Sequence, residues 1–64
     1  MNAKLKAYRE NIGKTTQEMA DIIGISDSLY VKIERGERNP SYGFLKKFTV
    51  AFPHLDIEKL FFKQ

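Results

Sequence analysis

The groups that could do chemistry in this chain are cations, hydroxyls and one carboxylate-led helix; the groups that most enzymes rely on are missing. There is no cysteine, which removes thiolate nucleophiles, disulfides and thiolate metal sites together. His54 is the single histidine, with no cysteine or second histidine near it, and reads as a surface loop residue rather than a ligand or a catalytic base. Glu18 and Asp21 share one stretch, but Glu18 is placed to cap a helix. No nucleophile–base pair, phosphate-cradling glycine loop or metal spacing occurs, so the expectation is a protein that is not an enzyme and needs no cofactor, metal or small-molecule ligand. Lys14, Lys32, Arg35 and Arg38 are the cations best placed to meet phosphate. The 11 Lys and Arg against 8 Asp and Glu give a net charge of +3 and an isoelectric point near 9.3. That balance permits nucleic-acid binding without demanding it, because the cations are spread along the chain and Glu10, Glu18, Asp21 and Glu37 offset them.

The elements that must carry these groups are helices. Leu5, Tyr8, Arg9 and Ile12 recur at helical spacing ahead of Gly13, a left-handed cap residue, which predicts a first helix over 2–12. Thr15-Thr16-Gln17-Glu18 has the form of a capping box and opens a second helix. Its apolar stripe is Met19, Ala20, Ile22 and Ile23, and it stops at Gly24. Ser26 is a second N-cap; the third helix runs from Asp27 to Arg35, with Tyr30 and Ile33 inward and Gly36 closing it. Glu37 to Pro40 form a loop. Ser41 caps a fourth helix with Phe44, Leu45, Phe48 and Phe52 on one face before Pro53. Asp56 caps a short fifth helix containing Ile57, Leu60 and Phe61. No strand-like alternation, repeat or linker interrupts this pattern, so the expected fold is all-α, five helices in a single domain over 1–64.

The segment from Thr15 to Gly36 is the most informative. Two helices separated by about three residues, with glycine at the bend, are expected to cross steeply, and Ala20 opposite the bend lets them approach. The second of them then presents Asp27, Ser28, Val31 and Lys32 away from Tyr30 and Ile33, on a body of the right width for a DNA major groove. With LKAYRE (5–10), TTQEMADIIGIS (15–26), KIERGERNPS (32–41) and DIEKLFF (56–62), the chain resembles the phage-repressor-like helix-turn-helix family of Cro and Xre type. The resemblance covers residues 4–61.

It implies a compact, lambda-repressor-like five-helix fold and a regulator that binds double-stranded DNA, with Ser26 to Arg35 as the recognition helix. It also implies a salt bridge between Arg9 and Glu34 that fixes this helix, and base contacts from Asp27, Ser28 and Lys32, with Leu29 and Val31 beside them. Phosphate contacts fall to Thr15 and Thr16 at a helix N-terminus, where dipole and free N–H groups favour an anion, and to Arg38, Asn39, Ser41 and Tyr42. Two departures stand out. Thr16 occupies a position where glutamine is usual, and Tyr30 one where an aliphatic residue is usual. Asp27 either accepts from cytosine N4 or simply favours the helix N-terminus.

The Phe44, Phe48, Phe52 and Phe61 cluster reads as core, and Lys46 and Lys47 as a solvated face. Phe62, which cannot point inward together with Phe61, is either satellite packing or part of a dimer interface with Leu60. A homodimer is expected because two copies double the phosphate contacts and read two half-sites. At 64 residues the chain is small enough to be only marginally stable. Its charged start has no signal-peptide character and no apolar run approaches the length of a membrane span, so a cytoplasmic address is expected. The rival reading keeps the fold but uses an apolar helical surface, with Leu29, Val31 and Phe62, to bind a regulator or toxin.

Overall fold

The computed structural model describes residues 3–62. Its elements are α1 (Ala3–Asn11), α2 (Thr16–Ile23), α3 (Asp27–Glu34), α4 (Tyr42–Ala51) and α5 (Ile57–Phe61). No strand occurs among the described residues. The Asn2 start expected for the first helix lies outside them.

Each boundary has a local cause. α1 closes where Gly13 takes φ +70°, so that the N–H of Lys14 reaches back to the carbonyl of Arg9 at 3.1 Å. α2 opens on a full capping box: the Glu18 N–H donates to Thr15 Oγ1 at 3.1 Å, and the Thr15 N–H donates to Glu18 Oε1 at 2.9 Å. It ends at Gly24, φ +91°, a conformation that a side chain would strain. The hydroxyls of Ser26 and Ser41 accept from the N–H groups of Leu29 and Phe44, each at 3.1 Å, and open α3 and α4. Asp56 does the same for α5, with Oδ1 taking the N–H of Glu58 at 3.0 Å.

α3 ends one residue earlier than its sequence suggests. Arg35 is the cap, and the chain then turns through Gly36 at φ +79°, with the N–H groups of Glu37 and Arg38 both directed at the Lys32 carbonyl.

The core is contributed by all five helices and the residue after α4. Leu5, Met19, Ala20, Ile23, Tyr30, Ile33, Phe44, Phe48, Phe52 and Phe61 are buried in one cluster. α2 packs on α3 and α4, while α1 packs on α3 and α5. The aromatic rings meet mostly edge-on or tilted: Phe61 stands perpendicular to both Phe44 and Phe48, at 5.6 and 5.3 Å between centroids. Such offsets suit the ring quadrupoles.

Ile22 does not belong to this core. It is 45% exposed, whereas Met19, Ala20 and Ile23 are buried. Successive residues advance about 100° around a helix, which sets Ile22 well off the centre of the stripe those three define. Among the described residues no helix is long and apolar enough to cross a membrane.

Candidate nucleic-acid interface

α2 and α3 are joined by three residues, Gly24 to Ser26, whose caps fix the start of α3. One face of α3 is spent on the core through Tyr30 and Ile33. Its other face carries Asp27, Ser28, Lys32 and, at the cap, Arg35, all exposed, with Val31 half-buried between them. Positions 27, 28, 31, 32 and 35 fall on one side because a helix returns to the same face every third or fourth residue. Leu29 is turned the other way and packs against the core.

This exposed face is tied to α1. Arg9 Nε donates to Glu34 Oε2 at 2.9 Å and Arg9 Nη2 to Glu34 Oε1 at 3.1 Å, a two-pronged pair. The third guanidinium nitrogen, Nη1, donates to the Lys14 carbonyl at 3.0 Å. One side chain thus ties the end of α3 to α1 and to the loop before α2. The pair is mostly sheltered, with side-chain exposures of 14% and 9%. Burial pushes the Glu34 carboxyl up, but the hydrogen bonds of Arg9, the adjacent Tyr30 hydroxyl and the charges of Arg9 and Lys6 outweigh it and hold the carboxyl below its ordinary range.

Beside this pair lies a cleft of about 290 Å³ lined by Lys6, Arg9, Thr16, Val31, Glu34 and Arg35. It brings the start of α2 against the outward side of α3. Lys6 was not among the residues singled out from sequence. It sits three positions before Arg9, hence on the same face of α1, and that spacing is the signal that finds it.

At the mouth of α2 the Thr15 N–H is already taken by Glu18. The N–H groups of Thr16 and Gln17 are the ones that the helix leaves without an internal partner. Hydrogen bonds from Thr15, through its backbone and its hydroxyl, lower the Glu18 carboxyl below its ordinary value.

Lys14 is half-buried, Thr15 is exposed, and Arg38, Asn39 and Ser41 on the turn between α3 and α4, with Tyr42 at the start of α4, lie exposed. None of these lines the cleft. Tyr42, 80% exposed, extends from the first position of α4. On α5, Leu60 is half-buried against the core, while Phe62 is 61% exposed. His54 lies exposed in the loop before α5, with Nε2 3.4 Å from the Tyr8 hydroxyl.

A family model described as helix-turn-helix matches residues 5–60. The chain belongs to the Cro/C1-type helix-turn-helix family. It is 36% identical over 55 residues to a protein of Archaeoglobus fulgidus named as an uncharacterized HTH-type transcriptional regulator. That match takes in 86% of this chain and 24% of the relative, so the chain spans about a quarter of that protein's length. No solved structure matches the chain.

Within the helix-turn-helix unit Tyr30 is unusual. Its ring is fully buried, and its hydroxyl lies beside the Glu34 carboxylate and the Arg9 guanidinium without a hydrogen bond of good geometry to either. Burial, reinforced by the neighbouring Glu34 carboxylate, pushes the phenol far above its ordinary range. A desolvated hydroxyl with so poor a hydrogen bond gives little back. Tyr30→Phe is therefore expected to leave stability unchanged or raise it by up to about 1 kcal/mol, which urea denaturation followed by circular dichroism measures. A loss of more than about 1 kcal/mol would mean that the hydroxyl donates a good hydrogen bond to Glu34 in solution.

Proposed function

We propose that this chain is a sequence-specific DNA-binding transcriptional regulator, a repressor that acts as a homodimer on operator DNA with α3 in the major groove. The observation that carries the reading is the exposed face of α3, held against α1 by the two-pronged Arg9–Glu34 pair. A base-reading helix needs such a hold, because its contacts are specific only while its angle to the groove is fixed. Ser28 and Lys32 contact base edges, with Lys32 suited to guanine O6 and N7. Val31 offers an apolar contact of the kind that reads a thymine methyl. Asp27 either accepts from cytosine N4 or serves the helix N-terminus.

Phosphates are held by the N-terminus of α2 with Thr15 and Thr16, by Lys14 and Arg35, and by the turn carrying Arg38, Asn39, Ser41 and Tyr42. The relative's name as a transcriptional regulator supports this reading. A net charge of +3 makes one copy a weak DNA ligand, and two copies bridged through Leu60 and Phe62 supply twice the contacts. The protein works in the cytoplasm, without catalysis, cofactor or small-molecule ligand.

Selection of bound duplexes from a random pool supplies the operator half-site, and substitutions then separate the roles. Lys32→Ala is expected to cost about 1–3 kcal/mol at the selected site and to relax preference at one base position. Lys14→Ala is expected to weaken all sequences alike and to flatten the dependence of affinity on salt. Operator affinity that survives loss of Ser28 and Lys32 together removes α3 as the reader. Binding to random duplex that does not fall with salt removes DNA as the ligand.

A further inference from the structure

A second surface lies between α2 and α4 and shares no residue with the DNA-facing set. It is a groove of about 430 Å³. Ile22 and Ile23 form one wall, and the stripe Gly43, Lys46, Lys47 and Val50 of α4 forms the other. Ile22 is 45% and Val50 77% exposed, so apolar surface is left in water on both sides.

Three features say what fits there. The charged groups lining the groove are both lysines, and no acid lines it; the Lys47 ammonium rests on the Gly24 carbonyl at 3.4 Å, marking one end. From Gly43 to Val50 the stripe runs two helical turns, about 10 Å, the reach of apolar residues at i, i+3, i+4 and i+7 on a partner helix. Finally, Gly43 costs α4 helix stability, and nothing among the described residues calls for it. Its φ is not positive, and a Cβ there would meet only Ser41 Oγ, at 3.9 Å. The space left by the missing side chain opens onto the groove.

We propose that this groove takes an amphipathic helix of a partner protein whose apolar stripe is flanked by acidic residues. Apolar side chains fill the gap between Ile22 and Val50, and carboxylates meet Lys46 and Lys47. A second copy of this chain fits worse: two-fold association through this face brings the lysine pair of one copy against that of the other, with no acid in the lining to separate them.

The test uses the full chain and two fluorescent peptides. Both carry leucine at i, i+3, i+4 and i+7, one with glutamate and one with lysine at the flanking positions. Anisotropy should show saturable binding of the glutamate peptide, at least about tenfold tighter than the lysine peptide. Gly43→Leu fills the groove at a position where a Cβ would meet only Ser41 Oγ, at 3.9 Å, and Val50→Glu places a like charge in it. Each should weaken the glutamate peptide at least about tenfold, while melting by circular dichroism stays cooperative. Joint Lys46→Glu and Lys47→Glu substitution should reverse the preference between the peptides. Three results overturn the proposal: equal binding of both peptides or none; a wild-type dimer in sedimentation that Gly43→Leu dissociates, which makes the occupant a second copy; or displacement of the peptide by a short DNA duplex, which assigns the lysines to DNA.

Discussion

Arg9→Ala is expected to destabilise the domain by about 2–4 kcal/mol, somewhat less than the 3–5 typical of breaking a fully buried pair, because both side chains keep some contact with water. At roughly 0.05–0.15 kcal/mol per residue, a chain of 64 residues has about 3–10 kcal/mol in all. The loss should lower the melting temperature by on the order of 15–30 °C. The cause is what remains behind: the Glu34 carboxylate, sheltered and without its cation, with only the poorly aligned Tyr30 hydroxyl beside it. Joint replacement, Arg9→Met with Glu34→Leu, removes both charges and should recover most of the stability. Operator affinity of that double variant should stay below wild type, since α3 would no longer be held to α1 by directed bonds. If affinity returns with stability, the pair serves folding alone.

Acid offers an independent reading of the same pair. The Glu34 carboxyl is held below its ordinary value of 4.5 in the folded state. Its contribution is therefore present above the unfolded pKa and fades as pH falls through the lowered folded one. Wild type should exceed Glu34→Gln in melting temperature at neutral pH, and the gap should close progressively below about pH 4.5. A gap that widens on acidification would contradict the assigned direction.

The helix boundaries were legible from sequence because each is written in residues adjacent along the chain. Thr15 with Glu18, Ser26, Ser41 and Asp56 accept the N–H groups that a helix start leaves open, and Gly13, Gly24 and Gly36 adopt the left-handed turns. What escaped was decided by packing between distant segments. Ile22 is the exception: it is as apolar as Ile23, and its phase around α2 alone sets it off the stripe of Met19, Ala20 and Ile23. Lys6 shares a face of α1 with Arg9, which its spacing shows, but its place beside α3 follows from how α1 packs. Lys47, read as a solvated charge, reaches the exposed carbonyl end of α2, where a cation is favoured. The recognition face was visible as the residues left over once Tyr30 and Ile33 were assigned inward. The cleft joining it to Lys6, Arg9 and Thr16 needed three elements in space.

Phe48→Ala should have the largest effect of any single substitution in the core. Phe48 is fully buried, and its ring lies 5.0 Å from Phe52, 5.3 Å from Phe61 and 5.8 Å from Phe44. It therefore links α4 to α5 and to the turn between them. Truncating a buried phenylalanine costs about 3–5 kcal/mol, part in lost burial and part in the cavity left behind, which is comparable to the whole stability of the chain. The variant should lose its cooperative melting transition, while Phe48→Leu, which leaves a smaller gap, should retain it. Ligand linkage then connects this core to function. A duplex that binds only the folded state adds about 2.7 kcal/mol when present at a hundredfold excess over its Kd. Selected operator DNA should therefore restore helical circular dichroism to Phe48→Ala in part, and random duplex should restore less. Equal restoration by both would mean that the folded domain draws no sequence preference from α3.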